Sequence, residues 1–212
     1  MPTLFGSILR GSAAMVLLAL GACATMDREE CLTVDWRTVG FEDGVRGYAG
    51  DRIGQHRKAC AKHGVTPDFA AYQAGREAGL REFCVPANGF RLGSQGGSYS
   101  GICPADLEPA FADAYRSGQQ LYTLESRLSN VTHSLNSKRE KLRDAEADIV
   151  TRSAVAISSD ATVEERAQAV VDVKQLGELV GRLKSEIKQL EEERVHSERD
   201  LQDYRATLQL SP

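Results

Sequence analysis

Leu121, Leu128, Leu135, Leu142 and Ile149 stand seven residues apart, with Leu124, Val131 and Ala145 at the interleaved position. A seven-residue repeat held over so many turns keeps one apolar seam on a helix, and that seam has to be covered by another helix. A second array follows: Val173, Val180, Ile187 and Leu201, with Leu176, Leu183, Leu190 and Tyr204 between them. The pattern fades over residues 153–162, where Ser158-Ser159-Asp160 reads as a turn. Thr162-Val163-Glu164-Glu165 then reads as a capping box that opens the next helix. Two arms of about 47 residues, roughly 70 Å each at the helical rise, predict an antiparallel coiled-coil hairpin over 121–212. Gly177 and Gly181 weaken the second arm by about 2 kcal/mol together. Equal arms turning near Ser158 place Gly181 opposite Leu135, so these glycines are expected either to make room for that leucine or to form a weak point where the arm bends. Extended heptad arrays space or dock more often than they catalyse.

Residues 33–120 have a different character. An aromatic-x-x-Gly unit occurs at Phe41–Gly44, Tyr72–Gly75 and Tyr115–Gly118. Gly40, Gly44 and Gly47 share one helical face, and Gly75 and Gly79 another. Each costs about 1 kcal/mol relative to Ala inside a helix, which implies close approach of a second backbone in return. The reading is a set of short helices: one capped by Thr33 and running through Trp36 and Tyr48, one over 51–62 ended at Gly64, and one from Pro67 to Cys84 with Thr66 as cap. Residues 26–32 read as a polar spacer, and 85–102 as a loop rich in glycine. The fold class expected is all-α: a small disulfide-stapled helical domain followed by the hairpin.

The first 22 residues carry a single charge, Arg10, before an apolar run over 11–20 and small residues, the pattern of an export signal. The run is too short to span a bilayer as a stable helix. Cys31, Cys60, Cys84 and Cys103 form an even set that an oxidising compartment would pair. Three pairings are possible. Local closure favours Cys31–Cys60 and Cys84–Cys103, the second constraining the glycine-rich loop by roughly 3 kcal/mol. With 26 Lys+Arg against 30 Asp+Glu the charge is mildly acidic, so nucleic acid is not an expected partner.

Leu20-Gly21-Ala22-Cys23 resembles the lipobox of bacterial lipoproteins. That resemblance implies that 1–22 is removed and that Cys23 becomes a lipidated N-terminus heading a tether over 23–32. Several acyl chains on one residue anchor firmly to a membrane. Ala24 after the modified cysteine resembles lipoproteins that enteric bacteria pass to the outer membrane, which implies a lipid-anchored protein on its periplasmic face. The succession Cys31, Asp35-Trp36, Gly40, Asp43-Gly44, Gly47, His56, Cys60, Gly64, Asp68, Tyr72-x-x-Gly75-Arg76-x-x-Gly79-Leu80, Cys84 and Gly101-x-Cys103-Pro104 resembles a family of uncharacterised bacterial lipoproteins catalogued as domain of unknown function 2799. The family carries no known activity.

His56, Cys60 and His63 share a helical face at zinc-ligand spacing, yet no fourth ligand is evident and a paired cysteine does not coordinate, so no metal is expected. Asp43, Asp68, Glu77 and His56 are acid–base types, but scattered carboxylates on helices are usually solvated. Arg52, Arg57, Arg76, Arg81 and Arg91 are of the type that binds a carboxylate or phosphate group, but pairing with Asp and Glu of the same helices is the favoured reading. No catalytic residue and no cofactor are assigned. The role expected is structural or interactive, with an envelope protein docked on the hairpin or head. The alternative is a small-ligand binder or enzyme in the head, for which a pocket lined by His56, Asp68 and Arg76 would speak.

Overall fold

The computed structural model describes residues 26–210. The expected export signal, Cys23 and the start of the tether lie outside the described residues. Among the described residues there are seven helices and no strand. They form two compact units. The first runs up to Val85 and includes Ser100–Glu108; the second comprises Pro86–Tyr99 and the chain from Pro109. The stretch 33–120, expected as one head, is thus divided between them.

In the first unit α1 (Arg28–Thr33), α2 (Trp36–Val45), α3 (Arg52–Ala61) and α4 (Phe69–Phe83) enclose a core of Met26, Cys31, Trp36, Cys60 and Tyr72. Residues 26–32 are therefore not a spacer. Asp27 and Glu30 satisfy each other's backbone N–H groups in a capping box, and α1 carries Cys31 into the core. Thr33 ends that helix, and the cap of α2 is Asp35, whose carboxylate accepts the Arg37 N–H. Asp68, not Thr66, caps α4, and its side chain accepts the Ala71 N–H. Carboxylates at these positions win because an N-terminal helix turn favours negative charge as well as an acceptor. Gly64 leaves α3 with a left-handed φ of 74°, the conformation that ends a helix at least cost in glycine. Disulfides join Cys31 to Cys60 and Cys84 to Cys103.

The helices α2 and α4 touch through their backbones. A methyl group on Gly40 would lie 2.0 Å from the Tyr72 carbonyl oxygen, and one on Gly79 2.1 Å from that of Phe41. Contact this close is what offsets the poor helix propensity of the glycines.

The second unit repeats the device. Residues expected as a loop contain α5 (Pro86–Ser94), which packs on the start of α6 (Glu108–Ile157). Gly89 meets the Phe111 carbonyl as Gly40 meets that of Tyr72, and Gly118 meets that of Phe90 as Gly79 meets that of Phe41. Gly96, with φ 71°, lies on the Tyr122 ring as Gly47, with φ 70°, lies on the Phe83 ring. Gly40-Phe41-x-x-Gly44-x-x-Gly47 and Gly89-Phe90-x-x-Gly93-x-x-Gly96 are two copies of one motif.

Beyond Gly118, α6 continues into an antiparallel hairpin with α7 (Val163–Leu210); the whole helices are 50 and 48 residues long. Leu135, Ala145, Ala169, Leu183, Ile187 and Leu201 are buried along it. Thr162 and Glu165 cap α7 reciprocally, and the Tyr204 hydroxyl donates to the Ser117 carbonyl. Ion pairs Glu125–Arg205, Arg139–Glu191 and Glu146–Lys184 recur at heptad spacing along one side. The expectation that Gly177 and Gly181 make room for Leu135 fails. A methyl group at either would meet nothing within 4 Å, so these glycines face open space and not Leu135. The turn lies over 158–162, two residues beyond the centre expected, which moves the facing register along α7. Among the described residues no helix is long and apolar enough to cross a membrane.

Candidate functional site

Asp43 lies on the packed face of α2, three residues after Gly40 and one before Gly44. With the neighbouring backbone so close, its side chain enters the core instead of water, and it is 4% exposed. One carboxylate oxygen, Oδ2, accepts the Tyr72 hydroxyl at 2.8 Å and lies 2.8 Å from His56 Nε2. Tyr72 comes from α4 and His56 from α3, so three of the four helices of the first unit meet at one oxygen atom. A carboxylate that only accepts places the imidazole proton on Nε2. That leaves His56 Nδ1, which is buried and has no hydrogen-bond partner within the protein. Trp36 stands edge-on to the imidazole with ring centres 6.5 Å apart. Burial, and then the hydrogen bond to Asp43, push the Tyr72 hydroxyl above the usual tyrosine range.

The second motif copy shows what the scaffold itself requires. Where the first has Asp43 and Tyr72, the second has Leu92 and Phe111, and Phe111 is fully buried. The same glycine packing therefore forms without a polar network. Buried polar groups generally stabilise no better than apolar groups of their size, so packing does not account for the Asp43–His56–Tyr72 set.

A cleft of about 440 Å³ adjoins the set, lined by Thr38, Val39, Asp43, Arg46, Arg52 and His56. Its other acids are engaged. Glu30 closes the cap of α1, and Glu42 lies 3.9 Å from Arg46. Hydrogen bonds from Thr38 and Arg37 hold Asp35 below the usual carboxylate range. Arg52 stacks over the Tyr48 ring at 4.6 Å and donates one terminal N–H to Gln55, while its buried Nε has no partner within the protein.

The structure does not bring together the three residues named from sequence. His56 lines this cleft, Arg76 lines a different one with Leu80 and Cys103, and Asp68 is spent as a helix cap. Arg76 donates to the Tyr48 carbonyl just as Tyr115 donates to the Gly97 carbonyl in the second copy, which identifies it as a staple for the turn after the glycine helix. Asp43, Tyr72 and Arg52 take the vacated places. The sequence signal for Asp43 was its position on the glycine face; for Tyr72 it was a phenol where the parallel position has Phe111. Among the described residues no cluster of His, Cys, Asp and Glu is arranged to hold a metal ion.

Residues 35–120 match the family model described as a protein of unknown function (DUF2799). The matched stretch spans both copies of the glycine motif and ends two residues past Gly118. No curated protein and no solved structure matches the chain. From Asp35 to Gln120 the chain is thus similar to the DUF2799 family.

Proposed function

We propose that this chain is a lipoprotein of the bacterial outer membrane, anchored through the lipid on Cys23 and facing the periplasm, whose α6–α7 hairpin docks a protein of the envelope. The observation that carries the reading is an apolar patch at the turn end of the hairpin. Val150, Ile157, Val163 and Val170 are 71%, 87%, 67% and 60% exposed. Val150 lies one turn beyond Glu146 and Ile157 one heptad beyond Val150, and Val170 and Val163 stand two and three heptads before Lys184. All four therefore belong to the side of the hairpin that the Glu146–Lys184 ion pair marks. Exposed apolar residues gathered on one face indicate an interaction surface, and helical spacing suits a partner helix with its own apolar stripe.

Two measurements test the reading. Labelled palmitate is incorporated by the wild type and lost in Cys23→Ala; undiminished labelling of the variant removes the anchor. A photo-cross-linker at Val150 or Val170 captures an envelope protein, one at Glu140 does not, and Ile157→Glu with Val163→Glu abolishes the capture. Equal capture from both positions sinks the docking role. The head supports a second reading, a small-ligand site, through the buried Asp43–His56–Tyr72 network that its scaffold does without elsewhere.

A further inference from the structure

We infer that the cleft beside α3 binds a small carboxylic acid that also carries a hydroxyl or amino group, held by Arg52 and His56. The inference rests on the second of the two readings and is independent of hairpin docking. Arg52 and His56 are four residues apart on α3, so their side chains share a face about one turn, roughly 5 Å, apart. Both line the cleft. Each presents a buried polar atom that the protein leaves unpaired, His56 Nδ1 and Arg52 Nε. Such atoms are rare in folded chains because each costs the desolvation of an unmade hydrogen bond. Both sit on residues that line one cleft, which marks a place where something else supplies the partners.

The chemistry of the partner follows from the two atoms. Asp43 Oδ2 accepts the Nε2–H, so in the neutral imidazole Nδ1 offers a lone pair and accepts from an O–H or N–H. Tyr48 covers one face of the Arg52 guanidinium and Gln55 takes one terminal nitrogen, which leaves the edge containing Nε. That edge presents two parallel N–H groups at the spacing of the two oxygens of a carboxylate. The other carboxylates of the cleft keep their charge but are spent on helix caps or on Arg46, which leaves Arg52 without a carboxylate partner among the described residues. Asp43 and Tyr72 are positioning residues, since they fix the imidazole tautomer and touch the ligand only through His56.

The test uses the purified full chain in detergent, titrated with L-malate, L-serine, acetate, glycerol and inorganic phosphate. Binding is followed by melting temperature and by the imidazole ¹⁵N resonances of His56. L-Malate or L-serine is expected to raise the melting temperature and to move the Nδ1 resonance. Acetate and glycerol, each lacking one of the two groups, should bind at least about tenfold more weakly. Arg52→Lys keeps the charge and removes the fork, and it should weaken L-malate about tenfold while leaving the circular dichroism spectrum unchanged. Tyr72→Phe should keep binding but shift the Nδ1 response by loosening Asp43. Acetate binding as tightly as L-malate, or an Arg52→Lys variant indistinguishable from wild type, overturns the assignment. Inorganic phosphate or glycerol moving the Nδ1 resonance better than any carboxylate overturns the ligand class while the small-ligand reading stands. Silence of Nδ1 towards every probe sinks both.

Discussion

Asp43 is held in the core by its place on a helix face that has no room to let it out, and its two donors then depend on it. Asp43→Ala leaves the Tyr72 hydroxyl and His56 Nε2 buried without an acceptor. That variant should lose about 3 kcal/mol or more in urea unfolding. The triple variant Asp43→Leu, His56→Phe and Tyr72→Phe takes its leucine and one of its phenylalanines from the second copy and fills the imidazole's place with an apolar ring, and it should recover most of that loss. A triple variant no more stable than Asp43→Ala contradicts the idea that packing does not need the network. Tyr72 also has a signature in alkali. Burial and Asp43 raise its ionisation above that of the unfolded chain, which is near pH 10. A group with a raised folded value stabilises fully below the unfolded value and loses that contribution as pH climbs beyond it. Wild-type stability should therefore fall above about pH 10, and Tyr72→Phe should flatten that fall. An equally steep fall in the variant assigns the titration to another group.

Helices here are built from poor helix formers wherever two backbones must touch, and the glycines sort by what lies above them. Gly44 faces the Arg76 carbonyl oxygen, 2.4 Å from where a methyl group would stand, and this oxygen is backbone that cannot swing away. Gly44→Ala should push α2 off α4 and cost about 3 kcal/mol or more, read as a lower urea midpoint. Gly181 has nothing within 4 Å. Gly181→Ala should stabilise the hairpin by about 1 kcal/mol through helix propensity alone. The two substitutions are chemically the same, so opposite signs isolate the contact as the cause; equal effects would mean that neither glycine is held by its neighbour. The conserved spacing of Gly40, Gly44 and Gly47 in Gly89, Gly93 and Gly96 makes α5 a helix for the same reason that α2 is one.

For the whole molecule, both disulfides lie in the first compact unit and none joins residues of the second. They close loops with separations of 29 and 19 residues, and loops of that size are worth about 3–4 kcal/mol each in the chain-entropy account. Protein isolated without reductant should show no free thiol among these four cysteines, and peptide mapping should return the two pairs. Reduction should lower the melting transition of the first unit and leave that of the second in place. A hairpin transition that moves with the reductant would contradict the assignment of the staples to one unit.

Heptad spacing by itself determined the hairpin, because a seam repeated every seven residues can be buried in few ways. Four cysteines, together with glycines three and four apart, determined that the preceding stretch would be helical, stapled and closely packed. Tertiary structure decided the rest. Only the packing of α5 onto α6 turns a glycine-rich segment into a helix, since its propensity argues for a loop and the gain comes from a distant backbone. Only the open space above Gly177 and Gly181 separates them from the glycines that are in contact. His56, Asp68 and Arg76 were legible as polar residues on helices, but their surroundings depend on which faces meet. The same meeting of α2, α3 and α4 brings Asp43 and Tyr72 to His56, residues 13 and 16 positions away from it, around a single oxygen atom.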